Sequence, residues 1–223
     1  MRAGKIAVLV LLAAQCLIAP GCDTYSTELR YEGTVSERRL PNAIRVHIIS
    51  FDDKRMDKRI GVALNMFDNV VTNYITGADI GAWISKALAR ELASMGYDPV
   101  ILASDAERPP SPDAIVIDGQ VLAFKCLQST SLSVNSSVVI RANIKCGEEP
   151  VYSRYYYGSQ EFILNNWIGT PDQFSKCSEK ALQALMAQMV PALDARIKTH
   201  AGLAPAPETA DDGPVAAPPI QVQ

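Results

Sequence analysis

The chain has 223 residues, 48% hydrophobic and 20% charged, with 21 Lys and Arg against 24 Asp and Glu. That length allows one domain of ordinary size. The balance excludes a highly charged disordered chain and a strongly basic nucleic-acid binder as descriptions of the whole.

Arg2 and Lys5 precede an apolar run over residues 6–19 that is broken only by Gln15 and followed by Pro20, Gly21 and Cys22. The run is shorter than the roughly 20 apolar residues an anchored membrane helix needs. It reads as a signal peptide over residues 1–21. Ala19 and Gly21 lie three and one before Cys22, the arrangement of a bacterial lipobox. Cys22 is therefore expected to be the lipidated first residue of the mature chain. Its acyl chains would bury many methylenes at about 0.8 kcal/mol each, enough for a lasting anchor where a single chain is marginal. Cleavage removes two of the 21 basic residues and none of the 24 acidic ones, so the formal charge moves from −3 to −5. A polybasic membrane patch and nonspecific nucleic-acid binding both conflict with that charge. Asp23 resembles the inner-membrane retention signal of enteric bacteria, and inner and outer membrane both stay open.

Residues 22–41 are polar and suit a tether. Residues 42–51 (NAIRVHIISF) are rich in β-branched residues and predict a strand, which the charged run 52–59 closes. Residues 60–64 form a short strand candidate, and 65–77 read as a loop. Asp79 is an N-cap for a helix whose apolar stripe comprises Ile80, Trp83, Ile84, Ala87, Leu88, Leu92 and Met95, with Gly96 as the left-handed residue after it. Residues 97–102 predict a strand and 103–112, with three prolines, a loop.

Residues 113–126 carry apolar side chains on both faces and predict a central strand. Residues 132–146 alternate cleanly, with Val134, Val138, Ile140 and Ile144 on one face and Asn135, Arg141, Asn143 and Lys145 on the other. A turn at 147–150 and a Tyr-rich strand over 151–164 complete a three-stranded antiparallel meander. The Tyr residues of that strand are expected to pack on or in the sheet. Thr170, Pro171 and Gln173 make a capping box for a second amphipathic helix, which Pro191 should kink in its last turn. Residues 199–223 are rich in Pro and Ala, poor in large apolar groups and expected to be disordered. The predicted fold is α+β: a two-layer sandwich of a mainly antiparallel sheet with two helices on one face, over residues 42–198.

Ile44 to Phe51 followed by Asp52-Asp53-Lys54-Arg55 and Asp57-Lys58-Arg59-Ile60-Gly61 resembles the opening of the YajG-type bacterial lipoproteins. The stretch Trp83-Ile84-Ser85-Lys86-Ala87-Leu88 with Glu91-Leu92 and Gly96-Tyr97 is similar to that family's helix. The resemblance implies a small envelope lipoprotein without assigned chemistry, facing the periplasm of a bacterial cell envelope.

Asp52, Asp53 and Asp57 suggest a divalent cation site, but the interleaved Lys54, Arg55, Lys58 and Arg59 nearly cancel their field. An ion-paired solvated loop is the expectation, with no metal and no cofactor. Asp52, Asp53, Arg55 and the loop residue Trp167 are the candidates for docking a partner, expected to be another envelope protein. His47 is the one plausible base. No G-x-S-x-G, H-E-x-x-H, Walker A or G-x-G-x-x-G motif accompanies it, and a non-catalytic chain is expected. Once Cys16 leaves and Cys22 is acylated, Cys126, Cys146 and Cys177 remain in an oxidising compartment. Strand directions in the meander place Cys126 and Cys177 at the same end, so that pair is the expected disulfide, with Cys146 buried. The leading expectation is a membrane-anchored accessory or scaffold module. The alternative is an auxiliary lipoprotein of an envelope ABC-type lipid or solute transport system, its small-molecule ligand left open. An apolar groove under the helices would favour the transport reading, and a filled core with a long exposed edge strand the scaffold.

Overall fold

A computed structural model describes residues 23–33, 43–65, 67–103, 113–129, 132–146, 149–164 and 169–203. Cys22, Trp167, the signal segment and everything past Leu203 lie outside the described residues. Within them is one sheet of nine strands: β1 (Asp23–Ser26), β2 (Arg45–Ile49), β3 (Asp52–Asp53), β4 (Gly61–Leu64), β5 (Val70–Ile75), β6 (Asp98–Leu102), β7 (Ile115–Gln128), β8 (Ser133–Cys146) and β9 (Glu149–Ile163). Two helices, α1 (Ile80–Ser94) and α2 (Pro171–His200), cover one face.

The organising strand is β7. On one edge it pairs antiparallel with β8 along nearly its whole length, and β8 pairs in the same way with β9. On the other edge it takes three short strands in succession, all parallel: β2 at Ile115 to Ile117, β3 at Gln120 and Val121, and β4 at Cys126 to Gln128. The helices cover one face of β7, and on that face Ile115, Ile117, Val121, Phe124 and Cys126 are buried, while Asp118, Gln120 and Lys125 alternate with them on the other. The sheet thus runs β1-β5-β4 beside one half of β7 and β6-β2 beside the other.

Both helices begin where the capping chemistry places them. The Asp79 carboxylate accepts from the Ala82 N–H at 3.0 Å, and Gly96 follows with φ 96°, a conformation glycine adopts without a Cβ penalty. At α2 the Thr170 hydroxyl accepts from the Gln173 N–H while the Gln173 side chain accepts from the Thr170 N–H. The stripe of α1 enters the core except for Met95, which is exposed. Pro191 lacks the N–H that would bond the Ala187 carbonyl, yet α2 continues past it to His200, so Pro191 is interior to the helix and not in its last turn. Thr199 and His200, expected in the disordered tail, are still helical.

Two strands lie where a loop and a tether are expected. β5 inserts Thr72 and Tyr74 at a period of two, and the Tyr74 ring stacks on Phe174 of α2 with centroids 3.6 Å apart. β1 pairs parallel with β5 from Asp23↔Thr72 to Ser26↔Ile75. The chain after it is docked on both helices. Leu29 is buried, the Trp83 indole N–H donates to the Arg30 carbonyl at 3.2 Å, and the Ser175 hydroxyl donates to the Glu28 carbonyl at 2.6 Å. Residues 23–33 are thus part of the domain, and a spacer is not what the described part of 22–41 forms.

Candidate functional site

The charged loop after β2 resolves into two kinds of residue. Asp52 is exposed and pairs with Lys54 at 2.5 Å. Arg55 is buried beneath the loop. Its guanidinium donates to both carboxylate oxygens of Asp53 at 2.9 Å and to the Arg59 carbonyl at 3.2 Å, and lies 5.6 Å from the Phe124 ring centroid. Lys58 adds a second cation to Asp53 at 3.1 Å. Burial alone would raise the Asp53 pKa, but the hydrogen bonds from Arg55 and Lys58 outweigh it and hold the carboxyl down at about 2. Asp57 is occupied by Arg59 in the same way. These carboxylates are matched by cations, and among the described residues no group of three or more His, Cys, Asp or Glu could hold a metal ion. Of the docking candidates, Asp52 is displayed to solvent, whereas Asp53 and Arg55 bind each other.

His47 sits on β2 between Val100 of β6 and Val116 of β7, so it belongs to the interior of the sheet. Its Nδ1 is buried without a hydrogen-bond partner, and desolvation together with the nearby Arg45 lowers its pKa. The nearby carboxylate, Asp98, is bonded to Arg45 at 2.9 Å.

Cys126 and Cys177 are neighbours. Both are fully buried free thiols, close enough for each to perturb the ionisation of the other. Cys177 also donates to the carbonyls of Val134 and Gln160 at 3.4 Å. Burial is the main cause that pushes the Cys126 thiol up. Cys146 is at the far end of the meander, opposite Ile115, and is half-buried where full burial was expected.

A cleft of about 400 Å³ lies between the helices, lined among others by Tyr31, Glu91, Gln183, Met186, Val190 and Pro191. It is flanked by the docked segment, not beneath the helices. The Tyr31 hydroxyl donates to Glu91 at 2.7 Å, and burial with that carboxylate raises its pKa, so the phenol stays neutral. His47 is not part of this lining.

β9 is a long, largely exposed strand at one edge of the sheet. Among the described residues its 15 residues pair with β8 and with nothing on the other side. Its inward face is held down by α2, because at Gly158 a Cβ would stand 2.2 Å from the Ala181 carbonyl oxygen. Tyr156, also inward, is buried with its hydroxyl 2.7 Å from that of Tyr152. The outward face carries Val151, Tyr155, Tyr157 and Ile163, all exposed. Arg141 of β8 lies 5.8 Å from the Tyr155 ring centroid, and Gln188 donates to the Tyr157 carbonyl at 3.2 Å. Strand composition signals Tyr-rich packing, but which of the four rings face outward follows only from the register with β8.

No protein-family model matches the sequence, and no curated protein shows significant similarity to it. Solved structures do. A putative neuraminyllactose-binding hemagglutinin homolog from Helicobacter pylori superposes with a TM-score of 0.50 at 14% identity, covering 79% of this chain and 98% of that one. What is shared is the fold. A DUF330 protein from Xanthomonas campestris matches with a TM-score of 0.47 at 10% identity over 78% of this chain and 99% of its own. A minor lipoprotein from Acinetobacter baumannii matches with a TM-score of 0.41 at 13% identity over 70% and 96%. Among the described residues no helix is long and apolar enough to cross a membrane.

Proposed function

We propose that this chain is a YajG-type lipoprotein, held in the bacterial envelope by acylated Cys22, whose domain binds another envelope protein and catalyses no reaction. The observation that carries the reading is β9. A 15-residue strand paired on one side offers backbone donors and acceptors to an incoming strand, and its outward Tyr155 and Tyr157 add rigid amphipathic contact area. The filled core beneath it, with Phe174, Leu182, Leu185 and Leu193 fully buried, agrees with a surface that works from outside.

The test is chemical crosslinking in intact envelopes followed by mass spectrometry of the adducts. A discrete protein partner joined through β9 supports the reading, and adducts confined to other surfaces count against it. Cys22→Ser should release the protein to the soluble fraction.

The second reading, an auxiliary lipoprotein of an ABC-type lipid or solute system, would have to use the interhelical cleft, which is not the groove under the helices expected for it. Met186, Val190 and Pro191 give the cleft an apolar wall, and lipid extracted from the purified protein would support that assignment.

A further inference from the structure

One end of the sheet gathers the start of β1 and a row of exposed apolar side chains. The register fixes this. β1 begins at Asp23, opposite Thr72 near the start of β5. The β4–β5 hairpin is closed beside it by the Asn65 N–H on the Asn69 carbonyl, with Leu64 opposite Val70. β4 ends alongside Gln128, the last residue of β7. Gln128 is opposite Val134, and Ser133 is opposite Ile163 at the end of β9. Six strand ends, β1-β5-β4-β7-β8-β9, thus lie side by side, and at about 4.8 Å per spacing the row is roughly 24 Å wide.

Along that row three apolar side chains stand in solvent: Phe67 at 75% exposure, Leu132 at 41% and Ile163 at 75%. Phe67 is held there by its own hairpin. The Asn65 carboxamide oxygen accepts from the N–H groups of Phe67 at 2.9 Å and Asn69 at 3.1 Å, the Asn65 N–H donates to the Asn69 carbonyl at 3.0 Å, and Asp68 takes φ 58°. A turn bonded in this way displays the ring without further loss of chain freedom on contact.

We infer that this end of the sheet seats on the lipid bilayer, with Phe67, Leu132 and Ile163 entering the interface beside the acyl chains. The inference rests on the acylation of Cys22 proposed above. Its argument is distance. Cys22 precedes the first residue of β1 directly, and one residue spans at most about 3.6 Å, so an acyl chain in the membrane brings the β1 end of the sheet to the membrane surface. Val151, Leu203 and the C-terminal end of α2 are then held away from it. Asp23 and Asp68 at the seated end give no excess of positive charge, so contact comes from apolar insertion and needs no anionic lipid.

The experiment uses the acylated full chain in phosphatidylcholine vesicles carrying brominated acyl chains. Phe67→Trp and Ile163→Trp are made singly, with Leu203→Trp as the far-end control, and fluorescence quenching is read above that of the unsubstituted protein. The seated end predicts excess quenching and a blue-shifted emission for the first two and none for the third. Flotation with the vesicles but no excess quenching at positions 67 and 163, or equal quenching at position 203, overturns the seating and leaves the anchor standing. Protein that fails to float with the vesicles overturns the anchor and the seating together.

Discussion

Removing the guanidinium of Arg55 should cost the domain about 3 kcal/mol. Arg55→Ala deletes both bonds to Asp53, the bond to the Arg59 carbonyl and the contact with the Phe124 ring. Breaking a buried ion pair costs about 3–5 kcal/mol because the surviving charge is left uncompensated. Here the low end applies, since the Asp53 side chain keeps 20% of its exposure and Lys58 as a second cation. For a domain of this size about 3 kcal/mol corresponds to roughly 6–12 °C in Tm. Arg55→Lys keeps the charge but not the planar fork and should recover part of the loss.

The pH dependence follows from the same contact. The Asp53 pKa is depressed from 3.8 to about 2, so the pair's contribution is complete above about pH 4 and lost as pH falls from there towards 2. At about 1.4 kcal/mol per unit, discounted for partial exposure, that is about 1–2 kcal/mol. Urea unfolding at pH 7 and between pH 2 and 5, on the purified protein, Arg55→Ala and Asp53→Asn, measures both effects. A change below about 1 kcal/mol in Arg55→Ala, together with an unaltered acid limb in Asp53→Asn, would refute the assignment of this loop as a clamp.

Gly81→Ala tests the packing of α1 on the sheet. Helix propensity favours Ala by up to about 1 kcal/mol, but the new Cβ would stand 1.7 Å from the Phe51 carbonyl oxygen. The clash should win, and thermal unfolding should show a net loss of about 1–3 kcal/mol; a stabilised variant would show that the helix can lift at no cost. Because Cys126 and Cys177 are buried neighbours whose thiols perturb each other, we propose that they form a disulfide in an oxidising compartment. Non-reducing peptide mapping should recover that link with Cys146 as a free thiol, whereas Cys146 in a bridge would exclude the pairing.

How much was legible depends on whether the signal was local. α1 and α2 were readable because Asp79, Thr170, Gln173 and Gly96 act within a few residues of the ends they define. The meander was readable because the alternation in β8 covers a whole face. β5 carries a mixed signal: Val70, Val71, Thr72, Tyr74 and Ile75 are strand formers, but Asn65, Asp68, Asn69 and Gly77 around them suggest a loop. β1 has no such signal. Its four residues are polar and exposed, and it is a strand only because β5 offers it an edge. The parallel partners of β7 come from distant parts of the chain, so the sheet order was not written in any window. The same reason hid the proposed binding surface. That β9 is an edge, and that Phe67, Leu132 and Ile163 share an end with Asp23, are properties of the register. The Asp53 and Arg55 pair shows the converse, since a charged loop looks solvated in sequence while its central cation is buried.

The central claim, a binding module that works through β9, is tested most directly by position-resolved photocrosslinking in the native envelope. A photoreactive amino acid is placed singly at Tyr155, Tyr157, Ser159 and Glu161 on β9, and at Met56 and His200 on other exposed surfaces. The account predicts one protein adduct that recurs along β9 and is absent at the two controls. No adduct along β9, or the same adducts at every position, would contradict it.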